Sequence, residues 1–150
     1  MIQFVTKTFQ ELSSKELYDI LKLRAEVFVV EQNCAYLDLD NHDEKALHVL
    51  GIENNVIVAY TRLLPQGYYH KEAGIGRVLT SLPTRTLGYG KLLMEFSIHE
   101  TLKKFNTIEI VISAQLYLEK FYTNLGFKKE GETYLEDGIP HIKMRYLYKA

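Results

Sequence analysis

The segment from Val78 to Met94 constrains this chain more than any other. Val78-Leu79-Thr80 closes an apolar strand pattern, and Ser81-Leu82-Pro83-Thr84 turns the chain. Arg85-Thr86-Leu87-Gly88-Tyr89-Gly90-Lys91 then opens into Leu92-Leu93-Met94-Glu95-Phe96, which has helical spacing. Two glycines at a helix start leave backbone N–H groups uncovered and allow close approach. Those N–H groups have no partner within the helix and sit at the positive end of its dipole. Arg85 adds a fixed charge, so the segment predicts a site for a phosphate or pyrophosphate. The plainer reading of the same glycines is a loop that only permits tight packing. A phosphate-loop nucleotide enzyme is disfavoured, because Arg-x-x-Gly-x-Gly lacks the Gly-Lys-Ser/Thr ending.

The flanking pattern alternates between strand and helix periods. Ile2 to Val5 reads as a short strand. Ser13-Ser14-Lys15-Glu16 is a capping box with Ser13 as N-cap. Leu17, Ile20, Leu21, Val27 and Phe28 follow as one helical stripe. Arg24 falls inside that stripe, so it must pair with a carboxylate elsewhere or wall a substrate pocket. Ala46 to Ile52 and Val56 to Leu64 predict a hairpin about Glu53-Asn54-Asn55. Ile75 to Thr80 is the next strand, followed by a helix over about Gly88 to Lys104. Ile108, Ile110 and Ile112 alternate as a strand. Leu118, Phe121, Tyr122 and Leu125 return to helical spacing, with Gly126 as the stop. Phe127 to Glu132 and His141 to Tyr148 complete an antiparallel pair across a Leu135 to Pro140 loop. This order predicts an α/β fold of the α+β kind, a mixed sheet with helices on its faces.

Composition narrows the function classes. The 150 residues suit one domain, 1–150, with a core of its own. A net charge of −1 offers no basic footprint, so nucleic acid is not an expected partner. Cys34 is the one cysteine, which rules out an internal disulfide and fits a cytoplasmic location. No apolar run reaches the roughly 18 residues of a membrane span, so no membrane partner is expected. The N-terminus lacks a signal-peptide pattern. Oligomeric state stays open, a homodimer included.

The loop from Cys34 to Lys45 carries Asp38, Asp40, Asp43 and Glu44. It fails the calcium-hand test, since the sixth position from Asp38 is Asp43 and not Gly, and the twelfth is Val49 and not Glu. A solvated acidic loop is one reading. An acidic lip attracting a cationic amine is the other, with Asp38, Asp40, Glu136 and Asp137 flanking one entrance. No His-Glu-x-x-His spacing supports zinc, and Cys34 has no recognisable partner as a nucleophile.

With the strand before it and the second strand–helix pair after it, the Arg85 to Lys91 loop resembles the acetyl-coenzyme A loop of GNAT-type N-acetyltransferases. Within that family the chain resembles the ElaA-like group. Leu23-Arg24-Ala25-Glu26-Val27-Phe28-Val29-Val30-Glu31-Gln32, Asp38-Leu39-Asp40, Ala114-Gln115 and Tyr134-Leu135-Glu136-Asp137-Gly138-Ile139-Pro140-His141 carry the narrower likeness. The resemblance implies the acyl-coenzyme A N-acyltransferase fold, a mixed, mostly antiparallel sheet with helices on both faces. Strands Ile75 to Thr80 and Ile108 to Ser113 should lie parallel, then splay to open a pantetheine slot. It further implies direct transfer of an acetyl group from acetyl-coenzyme A to a primary amine of a small molecule or peptide. By the same resemblance Val78, Leu79, Thr80, Arg85, Thr86, Leu87, Gly88, Tyr89, Gly90 and Lys91 hold the cofactor. Tyr122 both adjoins it and protonates the departing thiolate. A catalytically silent coenzyme A-binding or interaction module is the alternative. The reaction also needs a group to take the amine proton, since such an amine has pKa about 10.4. The residues offer Glu31, His48, Glu136, Asp137 and His141, and the sequence does not choose among them.

Overall fold

The computed structural model describes residues 1–150. The chain runs β1 (Gln3–Thr8), α1 (Ser14–Arg24), a π-helical continuation (Ala25–Glu31), β2 (Leu47–Glu53), β3 (Val56–Leu64) and β4 (Ala73–Thr80). A 3-10 helix (Leu82–Leu87), α2 (Tyr89–Lys104), β5 (Glu109–Gln115), α3 (Glu119–Asn124), β6 (Lys128–Glu136) and β7 (Ile139–Leu147) follow. The strands form one sheet in the order β1-β2-β3-β4-β5-β7-β6. Every neighbouring pair is antiparallel except β4 with β5, as expected for a mixed sheet.

Period-2 alternation sends neighbouring residues to opposite faces. Val49 and Ala59 join the core with Leu93, Met94 and Ile98 of α2, while Leu50 and Tyr60 pack with Ile20, Leu23 and Val27 of the first helix. The two long helices therefore cover opposite faces, and α3 adds Tyr122 to the α2 side. Each fully buried aliphatic side chain contributes roughly 1.5–3 kcal/mol. The first helix starts as its sequence predicts. Ser13 Oγ accepts from the Glu16 N–H at 3.0 Å, and the Ser13 N–H donates to Glu16 Oε1 at 2.9 Å. No helix is long and apolar enough to cross a membrane.

Two boundaries differ from expectation. Ser81 to Leu87 is not an open loop: Leu82–Leu87 winds as a 3-10 helix with Pro83 in its first turn, where proline's missing N–H costs nothing. The β6–β7 connection is not a Leu135 to Pro140 loop. Leu135 and Glu136 pair with Pro140 and Ile139, so the turn is only Asp137-Gly138, both at positive φ. Asp tolerates that conformation and Gly adopts it freely.

Candidate active site

The parallel pair β4 and β5 is the source of the site. It pairs Ala73 with Ile110 and Gly74 with Val111, and nothing beyond. Gly74 suits the close approach there: a Cβ would crowd the Val111 carbonyl oxygen at 3.0 Å. From Ile75 onward the strands part, and the β5-facing backbone of β4 is left without a sheet partner. A cleft of about 630 Å³ opens along this split. It runs from the start of α2 past Val78, Leu79 and Thr80 to the β6–β7 turn.

At the helix end, Gly88 caps α2 in the left-handed conformation, φ 75°. Gly90 lines the cleft, and a Cβ there would meet only the Phe121 ring at 3.7 Å. The protein itself thus has room for a Cβ at Gly90. The bare backbone gives an anion its close approach to the first-turn N–H groups. Lys91 lines the same end and is exposed. Arg85 is engaged: both terminal nitrogens meet the Glu31 carboxylate, one at 2.6 Å, and Nε donates to the Thr80 carbonyl. Hydrogen bonding to Arg85 lowers the Glu31 pKa. These residues fit a pyrophosphate, with Glu31 standing where its charge would otherwise act on Arg85.

Midway along, Tyr122 lines the cleft from α3 and is nine-tenths buried against Phe121 and Phe127. Burial pushes its pKa up, so the phenol keeps its proton. Its hydroxyl has no hydrogen-bond partner within the protein. The one sealed side-chain polar atom without a partner is Arg62 Nε, so the Tyr122 oxygen is open to the cleft.

At the far end, the β6–β7 turn brings Glu136, Asp137 and His141 to the wall. His141 Nδ1 lies 2.7 Å from the Ile139 carbonyl oxygen, and Nε2 lies 3.4 Å from Glu136 Oε2. Ser113 donates to Glu136 Oε1 at 3.2 Å and also meets the Tyr134 hydroxyl.

Comparison with known proteins agrees with this geometry. Residues 9–148 match the Acetyltransferase (GNAT) domain family. A UPF0039 protein of Schizosaccharomyces pombe is 44% identical over 146 residues, 96% of each chain. The crystal structure of Escherichia coli ElaA superposes with TM-score 0.90 at 38% identity, over 97% of this chain and 99% of that one. An acyl-CoA N-acyltransferase from Pseudomonas aeruginosa gives 0.91 at 37%, over the same shares. The chain belongs to the GNAT acetyltransferase family. Its likeness to ElaA places it with the ElaA-like members.

In this GNAT protein the acidic loop is neither solvated nor a lip, which corrects both expectations for Asp38, Asp40 and Asp43. Asp38 accepts from Arg24 Nε at 2.8 Å and Arg77 Nε at 2.7 Å. Asp43 accepts from Arg24 at 2.7 Å and Arg62 at 3.0 Å, and Asp40 holds Arg62 through two bonds. Three arginines and three aspartates cancel, and Arg24 is fully buried within them. Only Glu136 and Asp137 of the expected acidic entrance remain uncompensated.

His48, one of the five base candidates, is removed from the cleft. Its ring is 1% exposed, with Nδ1 at 2.6 Å from the Tyr60 hydroxyl and Nε2 at 2.9 Å from the Asp43 carbonyl. Burial lowers its pKa, and both nitrogens are occupied. Thr86, Leu87 and Tyr89 flank the cleft without lining it, and the Tyr89 hydroxyl donates to Glu53.

Sequence reasoning missed Arg77, Tyr36, Tyr69 and His70 on the wall of the far end. Arg77 sits at φ 52°, where β4 carries one residue more than β3 between the Tyr60–Leu79 and Arg62–Gly76 pairs. That bulge is held by the Arg77 bonds to Asp38 and Asp40. Gly74-x-Gly76 within a strand pattern was the available signal.

Proposed function

We propose that this protein transfers the acetyl group of acetyl-coenzyme A to a primary amine, directly and in a ternary complex. The observation that carries the reading is the early end of β4–β5 pairing beside the glycine-opened start of α2. One feature supplies a strand edge free to hydrogen-bond an extended pantetheine arm. The other supplies N–H groups, Lys91 and a displaceable Arg85–Glu31 pair for the pyrophosphate. With the thioester held along Leu79 and Thr80, an unpaired N–H of that edge stabilises the carbonyl oxygen as it gains charge. Tyr122 donates its phenolic proton to the departing sulfur, being protonated, cleft-facing and unpartnered.

The test is release of coenzyme A thiol from acetyl-coenzyme A with spermidine, lysine amide, tyramine and glucosamine as acceptors, alongside calorimetry with acetyl-coenzyme A. Binding with acceptor-dependent release is the expected result. Binding without release from any acceptor favours a silent coenzyme A-binding module. Absence of binding removes the reading altogether.

A further inference from the structure

The charges lining the cleft sort into matched and unmatched. Arg62 and Arg77 are cancelled by Asp38, Asp40 and Asp43, Arg85 by Glu31, and Glu72 by Arg145 at 2.8 Å. Lys91 at the helix end and Glu136 and Asp137 at the far end have no such partner. The cleft is therefore polarised, anion-binding at one end and cation-binding at the other. A primary ammonium suits the second.

The orientation of His141 follows from its hydrogen bond. A carbonyl oxygen only accepts, so Nδ1 must carry the proton toward Ile139. The lone pair of the neutral ring is then on Nε2, which lies 3.4 Å from Glu136 Oε2. Two acceptor atoms lie close together in that state. A proton arriving on Nε2 makes the ring cationic 3.4 Å from that carboxylate, whose negative charge favours the charged form. We infer that His141 and Glu136 form the proton-accepting pair of this transferase, and that its acceptor enters as a cationic primary amine. The inference rests on the transfer reading above and adds its first step. Glu136 holds the ammonium, and His141 Nε2 takes its proton.

The atoms balance as follows. The ammonium gives one proton to Nε2, and the freed nitrogen lone pair forms the new C–N bond. The nitrogen loses a second proton as the C–S bond breaks with its electrons to sulfur. Sulfur gains the Tyr122 proton, which one of the two released protons replaces, and the other leaves to solvent. The groups around the pair are Tyr134 on β6, stacked on His141 at 6.1 Å, and Asp137 in the turn. Tyr69, His70 and Glu72 come from the β3–β4 connection, Arg77 from β4 and Lys143 from β7. Glu136 is the carboxylate in contact with Nε2.

His141→Gln and Glu136→Gln, assayed by thiol release with acetyl-coenzyme A and the four amines named above, test the pair. His141→Gln should lower kcat/KM for the amine by roughly 10²–10⁴-fold at pH 7. For an acceptor amine of pKa about 10.4 its kcat/KM should climb about tenfold per pH unit from 7 to 9, as free amine accumulates, and more steeply than the parent's. Glu136→Gln, at a residue one-third exposed and so little threat to folding, should raise KM for the amine about tenfold. Coenzyme A affinity by calorimetry should hold in both. A parent active with one of these amines and a His141→Gln variant within twofold, with an unchanged pH profile, overturns the pair and leaves the transfer reading intact. An unchanged amine KM in Glu136→Gln overturns the ammonium site. A parent inert toward all four amines overturns the transfer reading and the pair with it.

Discussion

Asp43→Asn removes one charge from the arginine–aspartate network while keeping its shape. Asp43 Oδ1 accepts from Arg24 at 2.7 Å and from Arg62 at 3.0 Å, and the side chains are 12%, 0% and 3% exposed respectively. The substitution leaves three guanidinium groups facing two carboxylates with little water to compensate. Breaking a buried pair by removing one partner costs about 3–5 kcal/mol. The slight opening at Asp43 favours the low end, about 3 kcal/mol. For a chain of this size each kcal/mol moves Tm by about 2–4 °C, which predicts a fall of about 6–12 °C. Differential scanning calorimetry at low and high salt is the assay, and the loss should be nearly salt-independent, because buried pairs are weakly screened. A fall under about 2 °C, or one that high salt abolishes, would refute the account of the loop as a desolvated network. The same network sets an acid limit. Burial raises the Asp40 carboxyl, but its hydrogen bonds and proximity to Arg62 outweigh this and lower it from 3.8 to about 2. A depressed acid contributes stability above its unfolded pKa and loses it as pH falls through the folded value. Asp40 therefore adds about 2 kcal/mol at neutral pH, lost between about pH 4 and pH 2. Asp40→Asn should flatten the Tm profile across that window.

Three further substitutions address the cleft. Tyr122→Phe should lower kcat by roughly 10²–10⁴-fold. Its hydroxyl has no protein partner to orphan, so Tm and coenzyme A affinity should stay at the parent values; lost Tm with normal turnover would mark it as purely structural. Glu31→Gln should tighten coenzyme A binding by up to about fivefold in calorimetry, since an ion pair this exposed is worth at most about 1 kcal/mol; weaker binding, or a collapse in kcat, would count against Glu31 as a stand-in anion. Gly90→Val, whose Cβ would lie in ordinary contact with Phe121 at 3.7 Å, should lose more than about tenfold in coenzyme A affinity; unchanged affinity would move the pyrophosphate elsewhere.

Local sequence determined whatever local interactions decide. The Ser13–Glu16 box opens α1 because both partners lie within one turn, and Gly88 caps α2 because its left-handed φ needs no distant help. Strand and helix periods set the element order, and the Arg85 to Lys91 motif carried the family. Tertiary structure alone decided how charges and histidines are used. Asp38 meets Arg24 and Arg77, 14 and 39 residues away, and nothing near it in sequence distinguishes a solvated aspartate from a desolvated, neutralised one. Both His48 and His141 lie in strands and are almost fully buried. The first is enclosed between Tyr60 and the Asp43 carbonyl. The second reaches the cleft, because β7 pairs with β5 along the very strand from which β4 parts. Burial and proximity belong to the whole sheet, and a strand's own residues do not encode which neighbour will leave it.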